Sequence, residues 1–405
     1  MKILQINITN NMGSTGKIMH DLNDVLTIEG MQGYMLCAYQ PNKIADKNVC
    51  CMYPKNAWLS IRTHILESRI SGRMGYSKKK ETKKAIQWIN TIKPDIIHMH
   101  NIHGNWICIP MLLEYIKAQD IPVVWTLHDC WSFTGRCSHF EQYGCLKWSS
   151  GCERCKNFKV YPITYFFDYS KSMWNDKKQW FTGLKDAILV TPSVWLADYV
   201  RRSFMKSYPV QTIHNGIDLS QFHAVQKRSD YLKEFGEIKI LLGVAACWTE
   251  HKGLQDFFKL NDLLDKERYR IVLVGLNHRQ MQMIPKDILG IERTNNIEEL
   301  VELYSSADVF INPTYQDNYP TVNMEALACG TPVITYRTGG SVESVPENVG
   351  YIVDQGDIIG LREAIEKVCE NSPFKAEKCI EYAKEHFDKN KCYLKYIEIY
   401  KTIAG

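Results

Sequence analysis

Ten short apolar runs rich in β-branched residues recur along this chain: KILQINI, DIIHMH, VVWTLH, ILVTPS, VQTIH, KILLGVA, YRIVLVG, DVFINP, PVITYR and YIV. Most are separated by segments with helical spacing, such as His20–Ile28, Lys83–Ile92, Ile109–Lys117 and Glu298–Ser305. Strands that are apolar throughout, rather than alternating, are buried on both faces. Buried strands alternating with amphipathic helices predict α/β architecture, with parallel sheets covered by helices on each side. No internal repeat and no low-complexity tract interrupts the series.

A chain of 405 residues is long enough for two such domains. A break falls near Ser207–Pro209, which divides the chain into residues 1–208 and 209–378. The first part is interrupted by an insert of Cys, Trp and aromatic residues, Cys130–Tyr169. The stretch 379–405 reads as a C-terminal helix that crosses back onto the first domain. No run of eighteen apolar residues is present, so no transmembrane helix is expected. The N-terminal MKILQINITN turns polar quickly and reads as a first strand, not a signal peptide. A cytoplasmic protein with mostly reduced thiols is the expectation for its fourteen cysteines.

The net charge of +4 hides an asymmetry. Residues 1–208 hold 27 Lys and Arg against 16 Asp and Glu, and the remainder holds 22 against 29. The stretch Lys55–Lys84 alone has nine basic and two acidic residues. One reading is a solvated helical face with a Lys-rich loop. Another is a surface that meets anionic lipid headgroups on the inner face of a membrane, where each nearby cation gains roughly 1 kcal/mol. Nucleic acid is not the expected partner.

Unusual polar residues cluster just after the strands. Asn10–Gly16 follows the first, His100 and His103 follow DIIHMH, and His128 and Asp129 follow VVWTL. Asn215 and Gly216 follow VQTIH, Trp248–Gly253 follows KILLGVA, Asp317 follows DVFINP, and Gly339 and Gly340 follow PVITYR. Open parallel sheets bind ligands beyond the carboxyl ends of their strands, so the pattern predicts a ligand cleft between two facing sheets. The loop NNMGSTGKI is neither a dinucleotide fingerprint nor a P-loop. It has only Gly13 and Gly16, and Ile18 stands where Ser or Thr would follow the Lys.

In NPTYQDNYPTVNMEALACGTPVI, Asp317 and Glu325 lie eight residues apart, with Asn318, Tyr319 and Pro320 in the loop that opens a helix. A helix start offers unpaired N–H groups and a positive dipole end, which bind anions. Two carboxylates beside such an end suit a sugar joined to a diphosphate. The segment resembles the acid-x7-acid motif of retaining family-4 glycosyltransferases of the GT-B fold, with Asp in place of the usual Glu at the first position. The resemblance is strongest from Lys239 to Val353 and moderate around TLHDCWSFTG.

The resemblance implies two Rossmann-like domains facing across a cleft. It also implies transfer from a nucleoside-diphosphate sugar, a UDP- or GDP-sugar, to a saccharide or lipid-linked saccharide hydroxyl in surface-polysaccharide synthesis. By the same resemblance, Lys252 in TEHKGL binds the diphosphate, Glu325 the ribose, and Asp317 the donor sugar with the amides of Asn318–Pro320. Cys247 stands where the family's second cation, an Arg, is usual. His128 matches the first-domain active-site histidine. Gly13, Gly16, Asn215, Gly339 and Gly340 fall on the donor side, and His100, His103 and Asp129 on the acceptor side. No D-x-D motif is present, so catalysis is expected to need no metal cofactor.

The insert adds a separate expectation. Cys137, Cys145, Cys152 and Cys155 are the best set for a structural zinc, with buried free thiols as the alternative. Two rival readings of the whole chain remain: a nucleotide-sugar epimerase of the same fold, and a zinc-containing anion-binding module.

Overall fold

The structure, a computed structural model, describes residues 1–40, 46–53, 57–156, 162–371 and 373–404. Lys55, the first residue of the basic run, lies outside them. The chain forms two compact units, Met1–Ile213 with Tyr393–Gly405, and His214–Cys392.

The first unit holds β1 (Lys2–Thr9), β2 (Gln32–Tyr39), β3 (Val49–Cys51), β4 (Ile96–Met99), β5 (Val123–Thr126), β6 (Ala187–Thr191) and β7 (Val210–Thr212). They form one parallel sheet in the order β3-β2-β1-β4-β5-β6-β7. Its helices are α1 (Gly13–Ile28), α2 (Ala57–Ser71), α3 (Lys79–Ile92), α4 (Ile109–Ala118), α5 (Ser170–Phe181) and α6 (Val194–Arg202). The second unit holds β8 (Lys239–Val244), β9 (Tyr269–Val274), β10 (Ile288–Ile291), β11 (Val309–Asn312), β12 (Val333–Tyr336) and β13 (Gly350–Val353), parallel in the order β10-β9-β8-β11-β12-β13. Its helices are α7 (Leu254–Leu263), α8 (His278–Met281), α9 (Ile297–Ser306), α10 (Thr321–Ala328), α11 (Ile358–Asn371) and α12 (Ala376–His386). The last helix, α13 (Lys389–Ala404), begins in the second unit and ends in the first.

Every residue of β4, β5, β11 and β12 is buried, as strands covered on both faces must be. Each sheet reverses its strand order once, between β1 and β4 in the first and between β8 and β11 in the second. At such a reversal the loops leave in opposite directions, opening a crevice at the carboxyl ends of the strands.

Three strands escaped the sequence reading. β2 opens on polar Gln32 and Gly33, β3 is three residues long, and β10 is a four-residue ILGI. Helix α1 starts at Gly13, a full turn and more before His20. The expected single C-terminal helix from Cys379 is two, with Phe387 and Asp388 between them. There the Ile217 amide donates to Phe387 O at 2.8 Å and the Lys389 amide to Ile217 O at 3.1 Å. This close pass explains Gly216, which does not serve a positive φ: a Cβ there would lie 2.4 Å from Lys389 Cα. Farther along α13, Tyr396 OH lies 3.0 Å from Thr126 Oγ1 and Tyr400 OH 2.5 Å from His98 Nδ1, all four side chains buried. These bonds fasten the end of the chain beneath the first sheet's central strands.

Candidate functional site

The crevice of the second unit is built from the loops after β8 and β11. The first loop runs through Trp248 into a tight turn at Glu250–Lys252, and Gly253 closes it with φ +74°. A Cβ on Gly253 would also lie 2.1 Å from Pro313 O, so backbone meets backbone there. His251 O then accepts from the Tyr315 amide at 2.7 Å and from Thr314 Oγ1 at 3.1 Å. These contacts stitch the two loops together and aim Lys252 across the crevice. Its Nζ reaches Asp317 Oδ2 at 2.6 Å.

Behind Asp317, Tyr315 OH donates to Asp256 Oδ2 at 2.6 Å, and Tyr336 OH donates to the same oxygen at 3.0 Å. Asn318, Tyr319 and Pro320 are buried, and the Tyr319 ring stacks on His214 at 4.6 Å. Helix α10 follows with Pro320 at its cap and no side chain capping it. Proline carries no N–H, so the expected amide set Asn318–Pro320 is corrected. Pro320 leaves only Asn318 and Tyr319 with an N–H in that set, and the first turn of α10 follows them. Glu325 lies one turn into α10, half-buried, and its Oε2 accepts from Tyr304 OH at 3.0 Å.

A buried polar chain holds α10 in place, and the sequence reading missed it. Asn312 Nδ2 donates to Asn323 Oδ1 at 2.9 Å, and Asn323 Nδ2 donates to Ser344 Oγ at 3.0 Å and Ser341 Oγ at 3.2 Å. Ser341 and Ser344 belong to the turn that begins at Gly339 and Gly340, with φ +49° at Gly339. Buried amides rarely go unpaired, so these bonds fix α10 against the loop after β12. Two asparagines at apolar positions, one ending a strand and one inside a helix, were the available signal. Asn215 is buried beside His214. Cys247 is exposed, while Trp248 is core, its Nε1 bonded to Val274 O at 2.9 Å. Lys252 is therefore the cation that this loop turns toward Asp317.

In the first unit, the loops after β1, β4 and β5 come together. Gly13 has φ +64° and opens α1, whose first turn also has no side-chain cap. Gly16 is required by packing, since a Cβ there would lie 2.6 Å from Thr9 Oγ1. His100 and His128 stack at 5.4 Å, with Nδ1 of the former 3.1 Å from Nε2 of the latter. His100 Nε2 meets Gln5 Oε1 at 3.3 Å. His103 Nε2 lies 3.1 Å from Asp129 Oδ2, and the Trp131 amide donates to Asp129 Oδ1 at 2.8 Å.

Burial pushes His128 down to about 4, with His103 adding to the effect and Asp129 opposing it. His100 is driven well below its ordinary value by burial and by the neighbouring imidazoles. Both rings are therefore neutral near pH 7. Burial would raise Asp129, but the charge and hydrogen bond of His103 outweigh it and, with His139 and the Trp131 amide, hold the carboxyl at about 2. A neutral imidazole beside a fixed carboxylate can orient hydroxyls. It supplies no positive charge of its own.

Cys137, Cys145, Cys152 and Cys155 line one pocket of about 480 Å3 together with Arg136 and His139. They are free thiols, and among the described residues no three His, Cys, Asp or Glu are grouped to hold a metal ion. Burial raises Cys137 to about 12 and Cys152 to about 11, which keeps both as neutral thiols, and Cys152 Sγ accepts the Gly135 amide at 3.1 Å.

The family described as Glycosyltransferase Family 4 matches residues 49–221, and that described as Glycosyl transferases group 1 matches residues 232–386. The chain is 23% identical over 374 residues to WcaC of Escherichia coli K12, a glycosyl transferase named for colanic acid biosynthesis, with 89% of each chain covered. It is 26% identical over 160 residues to N,N'-diacetylbacillosaminyl-diphospho-undecaprenol alpha-1,3-N-acetylgalactosaminyltransferase of Campylobacter jejuni, covering 37% of this chain and 42% of that protein. Among solved structures, Anabaena Alr3699/HepE in complex with UDP resembles it with a TM-score of 0.67 at 14% identity, over 99% of this chain and 100% of that one.

Proposed function

The chain belongs to the family-4 glycosyltransferases of GT-B fold, and we propose that it moves a hexosyl or N-acetylhexosaminyl group from a nucleoside-diphosphate sugar to a hydroxyl, with retention at the anomeric carbon. The acceptor in this reading is a lipid-linked saccharide, and the product a surface polysaccharide. The relative with a diphospho-undecaprenol acceptor and the one named for colanic acid support this assignment. HepE, solved with UDP, supports a nucleotide-sugar donor. Work on a lipid-linked acceptor would place the enzyme peripherally on the cytoplasmic face of a membrane. No described helix is long and apolar enough to cross one.

The observation that carries the reading is the meeting of Lys252, Asp317 and the uncapped start of α10 at the β8/β11 crossover. The ammonium of Lys252 and the amides of α10 stabilise charge as it develops on the departing diphosphate. Glu325, steadied by Tyr304, accepts hydrogen bonds from the ribose hydroxyls, and Asp317 does so from the donor sugar. Asp317 holds Lys252 in position until the donor arrives and then turns one or both oxygens to the sugar. The acceptor hydroxyl attacks on the face from which the diphosphate leaves, and a donor phosphate oxygen takes its proton. In the first unit, His128 is the candidate to orient the acceptor hydroxyl as a neutral imidazole, with His100 as its support.

The test is release of nucleoside diphosphate with and without a hydroxyl acceptor, in EDTA. Acceptor-dependent release supports transfer. A nucleotide sugar that changes configuration while keeping its diphosphate would favour the epimerase instead.

A further inference from the structure

Helix α2 is apolar on two opposite faces. Its inner side packs through Ile61 and the buried His64, whose Nδ1 lies 2.9 Å from Tyr39 OH. On the outer side, Leu59, Leu66 and Ile70 fall within a narrow arc at helical spacing, with Arg62 and Arg69 along one flank and Ile65 on the far side of those arginines. An apolar face normally turns inward. These side chains do the reverse, with exposures from 48% at Ile70 to 55% at Leu59.

A second apolar element adjoins the end of this helix. The Tyr165 amide donates to Arg69 O at 2.9 Å, and Arg69 Nη1 donates to Tyr165 OH at 3.1 Å. Gly72 lies under the same loop, since a Cβ there would meet Phe167 O at 3.0 Å. Tyr165, Phe166 and Phe167 are also exposed, Phe166 to 71%. Three consecutive exposed aromatics beside an exposed Leu and Ile stripe exceed the scattered apolar residues of an ordinary surface. The charges around them are mainly positive, with Asp168 beside Phe167 tied to the Ser170 and Cys155 amides. Arg62, Arg69 and Arg73 carry positive charge, and the nearby Glu67 is neutralised by Lys78 at 2.6 Å.

We propose that the outer face of α2 and the Tyr165–Phe167 ridge together form a surface that inserts into the headgroup layer of an anionic bilayer. Apolar side chains would enter the acyl boundary while the arginines pair with lipid phosphates at its edge, the arrangement of interfacial helices. The inference differs from a purely electrostatic reading of the Lys-rich run, because the apolar residues carry the attachment and the cations select the lipid. It deepens the lipid-linked-acceptor reading and rests on it for its purpose. Its test reads vesicle binding apart from transfer.

The experiment is flotation of the full chain with vesicles of phosphatidylcholine alone or with phosphatidylglycerol. The wild type is expected to float with the anionic vesicles and to keep part of its binding in 0.5 M salt (a screening length about half that at physiological strength). Leu66→Glu with Ile70→Glu, and separately Phe166→Ser with Phe167→Ser, should each lower partitioning about tenfold or more, since buried apolar area sets interfacial affinity. Nucleoside diphosphate release by the same variants checks that they are folded. Lys79→Gln with Lys80→Gln should cost less than either apolar pair. The proposal is overturned if the wild type stays in the soluble fraction, or if the apolar variants float as well as it does. It is equally overturned if the face proves to be a self-association surface, seen as a dimer that Leu66→Glu with Ile70→Glu dissolves without any vesicle binding. Flotation without turnover on any sugar nucleotide would instead sink the transferase reading and leave the surface standing.

Discussion

Lys252 Nζ stands 2.6 Å from Asp317 Oδ2, although 65 residues separate them in the chain. The two charges proposed for different parts of the donor are thus already in contact. Lys252 is about a third exposed, and ion pairs of that kind contribute only about 0–1 kcal/mol to stability. Lys252→Ala should therefore leave the melting temperature nearly unchanged while lowering kcat about a hundredfold or more, as loss of one oxyanion-stabilising group does. Asp317→Asn should spare folding and raise KM for the donor. A large fall in Tm with intact kcat would make the pair structural.

Glu325 and Tyr304 form a second relationship with a graded prediction. Glu325→Gln should weaken donor binding, because an amide replaces one acceptor oxygen with a donor group. Tyr304→Phe removes the hydroxyl that steadies the carboxylate, and should cost about 1 kcal/mol, or several-fold in KM, with kcat little changed. Equal effects of both variants on kcat and none on KM would contradict the ribose assignment.

The buried histidines predict an acid limit on stability. Burial holds His98 at about 3 and His128 at about 4, below the ordinary imidazole value of 6.5. Between pH 6.5 and pH 4 the unfolded chain binds protons that the folded chain refuses. Stability from these groups is complete above pH 6.5 and falls as pH drops through that window. Urea midpoints measured from pH 7.5 to 4.5 should decline, and His128→Gln should flatten the decline. For the same reason the pH profile of kcat/KM should show no inflection from His128 between pH 6 and 8. An inflection there that His128→Gln abolishes would mean the ring is charged in the working enzyme.

Two glycines separate folding from site assembly. Gly253→Ala meets both a positive φ and the Pro313 carbonyl, so the two crevice loops must part. It should lower stability by about 1–3 kcal/mol and reduce activity more than stability alone explains. Gly216→Ala meets the Lys389 backbone and neither crevice loop. It should reduce stability while leaving donor affinity of the folded fraction unchanged, as measured by calorimetry.

These particulars show what could be read before the fold was known. Runs such as DIIHMH and DVFINP are apolar enough to mark central strands, and the residues after them fall where strand order reverses. Strand β3 was hidden because three residues carry too little pattern. The members of the candidate site were legible one by one. Their pairings were not: Tyr304 with Glu325, or Asn312 with Asn323 and Ser344, depend on how helices pack on strands rather than on local spacing. The outer face of α2 was concealed for another reason. Its inner face is apolar too, so the helix shows little amphipathic contrast in sequence, and only exposure distinguishes the two sides.

The central claim is that the β8/β11 crevice binds a sugar nucleotide through Lys252 and Glu325. The direct measurement is the unfolding transition of the wild type, Lys252→Ala and Glu325→Ala in a panel of UDP-, GDP-, ADP- and CDP-sugars. One donor should stabilise the wild type by about 2.7 kcal/mol at a hundred times its dissociation constant, and both variants should lose most of that gain at the same concentration. An unchanged gain in both variants, or no stabilisation of the wild type by any of the four classes, would contradict it.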